Sequence, residues 1–316
     1  MAEPLPSVSV VMPTFQRSRR LPQVVEPLLG DRAAIEVIVV VDGCDDGSYE
    51  WLVERARRDS RLRPIWIANG GANSARLTGA DTAKGDVVLL MDDDVQARPG
   101  LIEGHARRHA SEASLVVVGY MALPGPTGRQ AGDFTTDLYA KEYEEVCTRW
   151  EEVPGDVLFN LWAGNLSLHR ADFLMVAQAA TPAAHYHADQ ELGLRFAKAG
   201  LRGVFDRSLQ AEHLHARSLA GFVRDARSQG AEQVAIRESH SDLLGPFSAA
   251  WMSAGLPPAA QALLRLCRRP RAARLTAKAL YGAVVLAGRT RCFRSEELAA
   301  RLLRRVEHQR ETLETA

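Results

Sequence analysis

Three consecutive carboxylates, Asp92, Asp93 and Asp94, directly follow the apolar run Val87–Met91. Five apolar residues predict a buried strand, and in open α/β sheets ligands bind at the carboxyl ends of the strands. Carboxylates that crowd one strand end repel one another and need a compensating cation, and hard oxygen ligands select Mg²⁺ or Mn²⁺. The triplet therefore predicts a divalent-cation site that would also recruit a diphosphate, with a solvated acidic turn as the alternative.

The elements that must position this triplet are predicted over residues 7–94. Short runs rich in β-branched residues alternate with segments of helical periodicity, from a first strand to a fourth. This order indicates a parallel sheet with crossover helices, whose strands are apolar because both faces are covered. The predicted strands are residues 7–15, 35–41, 62–67 and 87–91, and the predicted helices are residues 19–29, 49–58 and 72–83. We expect Pro27 to end or kink the first helix.

The rest of the chain has fewer strands. We predict helices at residues 101–111, 134–150 and 189–199, a strand at residues 115–121 and a short strand at residues 204–205. From residue 218 onward the pattern is helical.

Composition is that of an ordinary globular protein. Hydrophobic residues make up 46% and charged residues 25% of the 316 residues, so a core can form without metals or disulfides. Zero formal net charge argues against a general nucleic-acid binder. The four cysteines are widely spaced, and the sequence shows neither a signal-peptide pattern nor an apolar stretch of membrane-spanning length. We therefore expect a reducing, cytoplasmic location.

The carboxyl-terminal segment differs in charge from the body. Residues 257–316 contain 13 Lys and Arg against 5 Asp and Glu, a net charge of +8, so the remainder of the neutral chain carries −8. Basic amphipathic helices either pack on protein or lie on anionic membranes. We expect these helices to pack on the sheet domain or on a second copy of the chain. Peripheral contact with the inner face of a membrane is the alternative.

Six short motifs follow one another along residues 7–230. They are Pro13-Thr14-Phe15, the acidic loop at residues 41–48, Asn69-Gly70-Gly71 with Ala75-Arg76, the triplet after Met91, Trp162-Ala163-Gly164-Asn165-Leu166-Ser167 and Asp189-Gln190-Glu191-Leu192. Together they resemble family 2 glycosyltransferases of the GT-A (nucleotide-diphospho-sugar transferase) fold. The acidic loop departs from the family's VDDGS spelling, and Ala188 replaces the first acid of its ED-x-E motif.

The resemblance implies a site for the donor nucleotide at the strand ends. A carboxylate there can accept the N–H of uracil or a similar base, and by resemblance Asp42 is that acceptor. The residues assigned to the nucleotide are Pro13, Thr14, Asp42, Asp46, Arg76, Asp92 and Asp93. Ordinary turn chemistry for the two loop carboxylates, and a surface position for the arginine, are the alternatives.

The resemblance also implies a divalent cation, Mn²⁺ or Mg²⁺, and a catalytic base. Asp94 is assigned to the metal with His213 or His215 as a further ligand, and His215 is preferred on its spacing. Asp189 is assigned as the base that takes the acceptor's proton in an inverting transfer, with a helix N-cap as its alternative role. The donor-sugar and acceptor pocket is assigned to Trp162, Gly164, Asn165 and Glu191.

These assignments define the expected protein, which is of the α/β class. It has a GT-A domain over residues 1–230 with a mostly parallel central sheet. The nucleotide half of this domain covers about residues 7–95 and the acceptor half about residues 96–215. A basic helical extension follows over residues 231–316. The resemblance implies metal-dependent, inverting transfer of a sugar from a nucleotide-diphosphate donor to a hydroxyl acceptor, with a UDP-sugar favoured over a GDP- or dTDP-sugar. That acceptor is a glycan, a lipid-linked group or a small molecule.

Two other functions remain open. The replacement at Ala188 leaves a non-catalytic nucleotide- or sugar-binding module as one alternative. A sugar nucleotidyltransferase is the other, but such an enzyme needs a glycine-rich basic loop after the first strand. The segment from Thr14 to Arg17 contains no glycine.

Overall fold

The computed structural model describes residues 4–110, 112–124, 130–178, 187–214, 217–245 and 256–315. The chain divides into two compact units. The first comprises Met1–Pro124, Glu144–Ala183 and Ala188–His215, and the second comprises Gly125–Tyr143, Ala184–His187 and Ala216–Ala316. The domain boundary proposed at residue 230 falls inside the helix Leu219–Ser239 of the second unit.

The first unit is built on one mixed, eight-stranded sheet. Its strands are β1 (Val8–Thr14), β2 (Ala34–Asp42), β3 (Leu62–Ile67), β4 (Val87–Met91), β5 (Val95–Ala97), β6 (Leu115–Ala122), β7 (Asn165–His169) and β8 (Arg202–His213). They lie in the order β3-β2-β1-β4-β7-β6-β8-β5. The pairs among β1 to β4 are parallel, whereas β7 runs antiparallel to both β4 and β6. The sheet is therefore parallel in its first half and mixed beyond β4.

The helices of the described residues follow the expected order. They are α1 (Leu21–Gly30), α2 (Ser48–Ala56), α3 (Ala72–Thr82), α4 (Leu101–His109), α5 (Phe134–Glu152), α6 (Arg170–Gln178), α7 (Ala188–Lys198), α8 (Leu219–Ser239), α9 (Ser241–Leu244), α10 (Pro258–Leu266), α11 (Pro270–Arg289) and α12 (Phe293–Thr315). Pro27 lies inside α1, which continues to Gly30. Pro27 therefore does not end the helix, because burial of Val24, Val25 and Leu28 offsets the lost hydrogen bond.

The parallel half of the sheet brings three strand ends to one edge. Every residue of β1 and β4 is buried, as expected of strands that are covered on both faces. Because parallel strands share a direction, Thr14, Asp42 and Met91 end β1, β2 and β4 at the same edge. The loops after these strands therefore lie together, and one of them carries the acidic triplet.

Strand β8 is longer than the sequence indicates. It runs for 12 residues, from Arg202 to His213, whereas only residues 204–205 were predicted. Polar residues at 206–208 interrupt its apolar alternation, and its register against β6 shifts between Gly119 and Tyr120, as a β-bulge allows. The end of β8 pairs with β5, with His213 opposite Val95. The strand therefore delivers His213 to the neighbourhood of the triplet.

A chain of buried polar side chains fixes β7 within the sheet. His109 Nε2 lies 2.8 Å from Ser167 Oγ, which lies 2.7 Å from His105 Nδ1. His105 Nε2 lies 2.9 Å from Asn165 Oδ1, and Asn165 Nδ2 donates to the Leu209 carbonyl at 3.1 Å. Asn165 donates through Nδ2, so its Oδ1 is the amide oxygen and accepts a hydrogen bond from His105 Nε2. His105 Nδ1 then accepts from the Ser167 hydroxyl. The Ser167 oxygen in turn accepts from His109 Nε2. All four of these hydrogen bonds form with both imidazoles neutral, while His109 Nδ1 is buried without a hydrogen-bond partner among the described residues.

The second unit has a helical core. Parts of α5, α8, α10, α11 and α12 supply its buried residues, among them Phe134, Phe222, Leu264, Val284 and Leu303. Phe134 and Phe222 meet edge to face with ring centroids 5.5 Å apart, a favourable aromatic geometry. Among the helices of the described residues, none is both long and apolar enough to cross a lipid bilayer.

We expect protonation of the buried histidine chain to destabilise the protein below neutral pH. Burial lowers the pKa of His105 to about 4 and the pKa of His109 to about 3, whereas an unfolded histidine has a pKa of about 6.5. Between these values the unfolded state binds more protons, so the free energy of unfolding falls as the pH decreases below about 6.5. For each histidine, the free energy of unfolding should fall by about 1.5 kcal/mol between about pH 6.5 and about pH 5.

Urea unfolding over this pH range, for the wild type and for His109→Gln, measures the effect. The variant should be less stable at neutral pH, because its amide reproduces the imidazole's hydrogen bond poorly, yet it should lose less stability on acidification. If both proteins lose the same free energy over the range, His109 is not held neutral in the folded state.

Candidate active site

The acidic triplet joins the ends of two strands. Thr14 Oγ1, at the end of β1, donates to Asp93 Oδ2 at 2.8 Å. Arg17 follows in the next loop, with its Nε 3.6 Å from Asp93 Oδ1. Burial raises the pKa of Asp93 to about 6, although the Thr14 hydrogen bond and the Arg17 charge oppose this shift. Asp93 thus ties the triplet to the loop after β1.

Arg76 is the buried cation at the centre of the site. It is 4% exposed, and it donates from Nη2 to Asp92 Oδ1 at 2.7 Å and from Nη1 to Asp189 Oδ1 at 2.9 Å. Burial lowers the pKa of this guanidinium, but the charges of Asp189 and Asp92 raise it by more. Desolvation raises the pKa of Asp92, as do the charges of Asp189 and Asp94, in spite of Arg76. One guanidinium therefore links acids from two distant parts of the chain.

Helix α3 reaches the site because small residues let it approach the sheet closely. A Cβ added to Gly79 would lie 2.4 Å from Val11 Cγ1 on β1. Ala75 and Ala80 of α3 are also buried. The helix therefore packs against β1 at a distance that only glycine allows, and this places Arg76 at the edge of the sheet.

The two acids at the start of α7 have different surroundings. Asp189 accepts from Arg76 at Oδ1 and from the backbone N–H of Ala163 at Oδ2, 3.0 Å away. Its side chain is 34% exposed, so solvent still reaches it. Glu191 instead pairs with Arg195, one turn along the same helix, at 2.5 Å. Asp189 therefore joins the acidic triplet at the edge of the sheet, whereas the charge of Glu191 is neutralised within its own helix.

Asp94 is paired with His213, the last residue of β8. His213 Nε2 lies 3.4 Å from Asp94 Oδ1, while Arg17 Nη2 and Arg20 Nη1 lie 3.7 and 3.9 Å from Asp94 Oδ2. Burial raises the pKa of Asp94, but the contact with His213 and the charges of the two arginines lower it by more. Asp94 is thus the member of the triplet with the most cationic surroundings.

Asp94 and His213 form a donor set that fits a divalent cation. Carboxylate oxygen suits Mg²⁺ and Mn²⁺, and imidazole is a common metal ligand. Within the described residues, no three His, Cys, Asp or Glu side chains converge to hold a metal ion. Cations of this kind are often bound through one or two protein carboxylates, with substrate phosphates and water in the other positions. The two side chains fit a cation that is shared with a bound diphosphate.

The loop after β2 is held in place by two carboxylates that were predicted to bind the nucleotide. Asp42 is buried, and its two oxygens accept the N–H groups of Gly70 and Gly71 at 2.7 and 2.9 Å. Asp46 accepts the N–H groups of Ser18 and Ser48. Burial would raise the pKa of Asp46, but hydrogen bonds from Ser48 and Ser18 lower it to about 2. Each oxygen keeps a further lone pair, so binding of a base by either carboxylate stays a prediction.

Gly164, just before β7, contacts the site, whereas Asn165, the first residue of β7, is buried away from it. The Gly164 carbonyl accepts the Asp92 N–H at 3.2 Å, and a Cβ at Gly164 would lie 3.0 Å from Asp92 Oδ2, so a side chain there would crowd this carboxylate. Asn165 is fully buried in the polar chain described above. The expectation that Asn165 contacts a sugar is therefore not supported. Trp162 is half-buried.

The structure brings the predicted acids together and buries one predicted cation. Asp92, Asp93, Asp94, Asp189 and His213 share the edge of the sheet. His215 lies outside the described residues. Arg76, expected on a nucleotide or diphosphate, is instead buried against two carboxylates. Sequence reasoning missed Arg17 and Arg20, for which the available signal was their position three and six residues after the end of β1.

Comparison with known proteins supports one family. Residues 9–161 match the family model described as glycosyl transferase family 2. The chain is 33% identical over 116 residues to the uncharacterized glycosyltransferase EpsJ of Bacillus subtilis, a match that covers 36% of this chain and 33% of that protein. It is 34% identical over 105 residues to the undecaprenyl-phosphate 4-deoxy-4-formamido-L-arabinose transferase of Pectobacterium atrosepticum, with 31% and 32% covered. The chain thus spans about a third of the length of these curated relatives.

Solved structures define the fold. The mannosyltransferase PcManGT from Pyrobaculum calidifontis, in complex with GDP-Man and Mn²⁺, matches with a TM-score of 0.58 and 15% identity, covering 96% of this chain and 87% of that one. At this identity the likeness concerns the fold alone, and that fold is GT-A. The family match over residues 9–161 and these relatives support a family 2 glycosyltransferase, a class of enzymes. The predicted family and fold class are confirmed.

We expect loss of Arg76 to cost far more stability than loss of a surface arginine. Arg76→Met would leave Asp92 and Asp189 facing each other without their counter-charge, so the free energy of unfolding should fall by about 3 kcal/mol. Arg76→Lys keeps a charge but cannot donate to both carboxylates with the same geometry, so its loss should be smaller. Urea unfolding of the purified variants measures both values.

Arg55 provides the matched control. It makes two hydrogen bonds to Glu26, at 2.6 and 2.9 Å, but Glu26 is 47% exposed. A surface pair of this kind contributes up to about 1 kcal/mol. Equal losses for Arg55→Met and Arg76→Met would show that burial of the Arg76 pairings does not matter to stability.

Proposed function

We propose that this protein transfers a sugar, with inversion at the anomeric carbon, from a nucleotide-diphosphate donor to a hydroxyl acceptor in a cation-dependent reaction. The observation that carries the proposal is the convergence of Asp92, Asp94, Asp189 and His213 at the carboxyl edge of the sheet. In an open α/β sheet this edge is where ligands bind. The family whose model matches residues 9–161 supplies the class of reaction.

Asp189 is the proposed base. In an inverting transfer, a base takes the proton from the acceptor hydroxyl as its oxygen attacks the sugar carbon opposite the leaving phosphate. The hydrogen bonds from Arg76 and the Ala163 N–H hold the carboxylate of Asp189 in one orientation. Each of its oxygens still has a lone pair with which to accept the proton. Arg76 acts here as a positioning residue.

Basic and metal-binding side chains of this protein are proposed to hold the donor diphosphate. Asp94 and His213 would hold Mn²⁺ or Mg²⁺, which when bound stabilises the negative charge developing on the departing diphosphate. Arg17 and Arg20 are 38% and 26% exposed at the side chain and lie at the same edge. They are therefore better placed than the buried Arg76 to meet phosphate oxygens.

The donor and acceptor are proposed at the level of class. The solved relative PcManGT was obtained with GDP-Man and Mn²⁺, while the sequence resemblance favours a UDP-sugar. The name of the Pectobacterium relative includes undecaprenyl phosphate, which supports a lipid-linked acceptor as one of the hydroxyl acceptors to test.

We expect Asp189→Asn to abolish transfer while leaving donor binding intact. Loss of a general base lowers turnover by about 10²- to 10⁴-fold, whereas the amide keeps the size of the carboxylate. Release of nucleoside diphosphate from UDP-, GDP- and dTDP-sugars measures turnover, because slow transfer to water needs no known acceptor. Glu191→Gln, in the same helical turn, should retain most of the activity. Unchanged turnover in Asp189→Asn with normal nucleotide binding would favour a non-catalytic binding module.

We also expect nucleotide binding to depend on a cation through Asp94. Calorimetric titrations with UDP, GDP and dTDP, each with Mn²⁺ or with EDTA, should show one nucleotide that binds at least about tenfold tighter with the metal. Asp94→Ala should lose this difference, and Arg17→Gln should weaken binding under both conditions.

Asp86→Ala provides the control for these titrations. Asp86 bonds to Ser7 just before β4, at the opposite end of that strand from the triplet, so its loss should leave nucleotide binding unchanged. Tight binding that is the same with Mn²⁺ and with EDTA would remove the metal from the proposal. Binding of none of the three nucleotides would remove the donor site.

A further inference from the structure

Helix α11 of the second unit carries an exposed apolar stripe on its outer side. Leu275, Ala279, Gly282 and Leu286 are spaced four, three and four residues apart, so they line one face of the helix. All four are exposed, and Leu275 and Leu286 are 69% and 64% exposed. Isolated exposed leucines need no explanation, but two on one helix face with small residues between them form a patch. We call these four residues the outer stripe.

The opposite face of α11 is already buried within its own unit. Ala273, Ala277 and Val284 belong to the helical core of the second unit, together with Ala300 and Leu303 of α12. The outer stripe is therefore not the side by which α11 packs on its neighbours. A Cβ added to Gly282 would meet no atom within 4 Å, so the middle of the stripe faces open space.

The surroundings of the outer stripe carry charge of one sign. Between residues 257 and 295 the sequence has nine arginines and lysines and no aspartate or glutamate. All nine are exposed: Arg265, Arg268, Arg269, Arg271, Arg274, Lys278, Arg289, Arg291 and Arg294. Within the described residues, only Arg274 has an acid within ion-pair distance, Glu314 at 3.9 Å. Most of this charge is therefore available to an external partner.

Three of these cations border the outer stripe directly. Arg271 lies four residues before Leu275, and Lys278 and Arg289 lie three residues after Leu275 and Leu286. By helical geometry all three fall on the same side of the stripe. The face therefore presents two apolar side chains beside a row of unneutralised cations. This combination is typical of helices that lie in the headgroup region of an anionic bilayer.

A second copy of the chain fits this face less well. In a twofold dimer a surface patch meets itself, so the same basic row would be brought near its symmetry mate. Like charges in contact disfavour that pairing. A nucleic acid would meet the cations but would leave the leucines without an apolar partner. Charge complementarity and the apolar stripe together favour a lipid surface.

We propose that the outer face of α11 docks this protein on an anionic lipid surface. Leu275 and Leu286 enter the boundary between headgroups and acyl chains, and Arg271, Lys278 and Arg289 contact lipid phosphates. The helix lies along the surface without crossing it. This proposal is independent of the function proposed for the sheet edge, because all of its residues belong to the second unit.

Co-sedimentation of the full chain with vesicles tests the proposal. The wild type should bind vesicles of phosphatidylcholine with phosphatidylglycerol and should not bind vesicles of phosphatidylcholine alone. Each basic residue near an anionic surface contributes about fivefold to binding, so reversal of Arg271, Lys278 and Arg289 to Glu should weaken it by about a hundredfold or more. Leu275→Ser with Leu286→Ser should weaken it by about a hundredfold or more. Gly282→Leu, which extends the apolar stripe into open space, should strengthen it.

Two control variants carry matched changes in the first unit. Arg57 and Arg58, which directly follow α2, are exposed arginines, and Met175 on α6 is an exposed apolar residue. Arg57→Glu with Arg58→Glu, and Met175→Ser, should leave vesicle binding unchanged. Circular dichroism of every variant checks that the helices are intact.

Three results would overturn the proposal. The first is equal binding, or none, on the two kinds of vesicle. The second is a dimer in light scattering that Leu275→Ser with Leu286→Ser converts to a monomer without any vesicle binding, which would make the stripe a contact between copies. The third is binding to an RNA or DNA oligonucleotide that the arginine variants abolish and the leucine variants do not, together with weak vesicle binding.

Discussion

The candidate site depends on one guanidinium held between two carboxylates. Asp92 follows β4, Asp189 begins α7, and Arg76 donates to both from a position that is 4% exposed. Without a buried cation, the two acids would repel each other at a strand end where water is partly excluded. The arginine reaches this point because Gly79 lets α3 lie against Val11 of β1. The position of the proposed base therefore depends on the close packing of a helix against the centre of the sheet.

Asp93 and Asp94 lie farther from their arginines than Asp92 and Asp189 lie from Arg76, and this difference in distance affects their chemistry. Arg17 and Arg20 lie 3.6 to 3.9 Å from Asp93 and Asp94, beyond ordinary hydrogen-bond distance, and both arginines are partly exposed. The pKa of Asp93 is raised to about 6 by burial, so this carboxyl is incompletely stabilised as an anion. An added cation would lower the pKa of such a group and stabilise its anion. The tightly bonded pairs of Arg76 thus hold the site together, while Asp94, whose contacts with His213, Arg17 and Arg20 are 3.4 to 3.9 Å long, remains available to a ligand.

Much of the fold could be predicted from the sequence, because four buried strands separated by helical segments have a distinctive pattern. The acidic strand end and Asp189 were likewise visible as motifs. Strand β8 was not, since polar residues and a bulge break its alternation, and its full length is what brings His213 to Asp94. The burial of Asn165 and Arg76 was not visible either. Whether a polar side chain faces a ligand or a buried partner is decided by tertiary packing, which residue type and local spacing do not report.

The contrast among the three arginines identifies which of them can serve a diphosphate. A bound anion has to compete with the carboxylates that each guanidinium already contacts. For Arg76 this means giving up two charge-assisted hydrogen bonds of 2.7 and 2.9 Å in a buried position, which is strongly unfavourable. For Arg17 it means giving up contacts of 3.6 and 3.7 Å on a side chain that is 38% exposed, where pairing contributes little. This contrast favours a structural role for Arg76 and supports the proposal that Arg17 and Arg20 meet the phosphate.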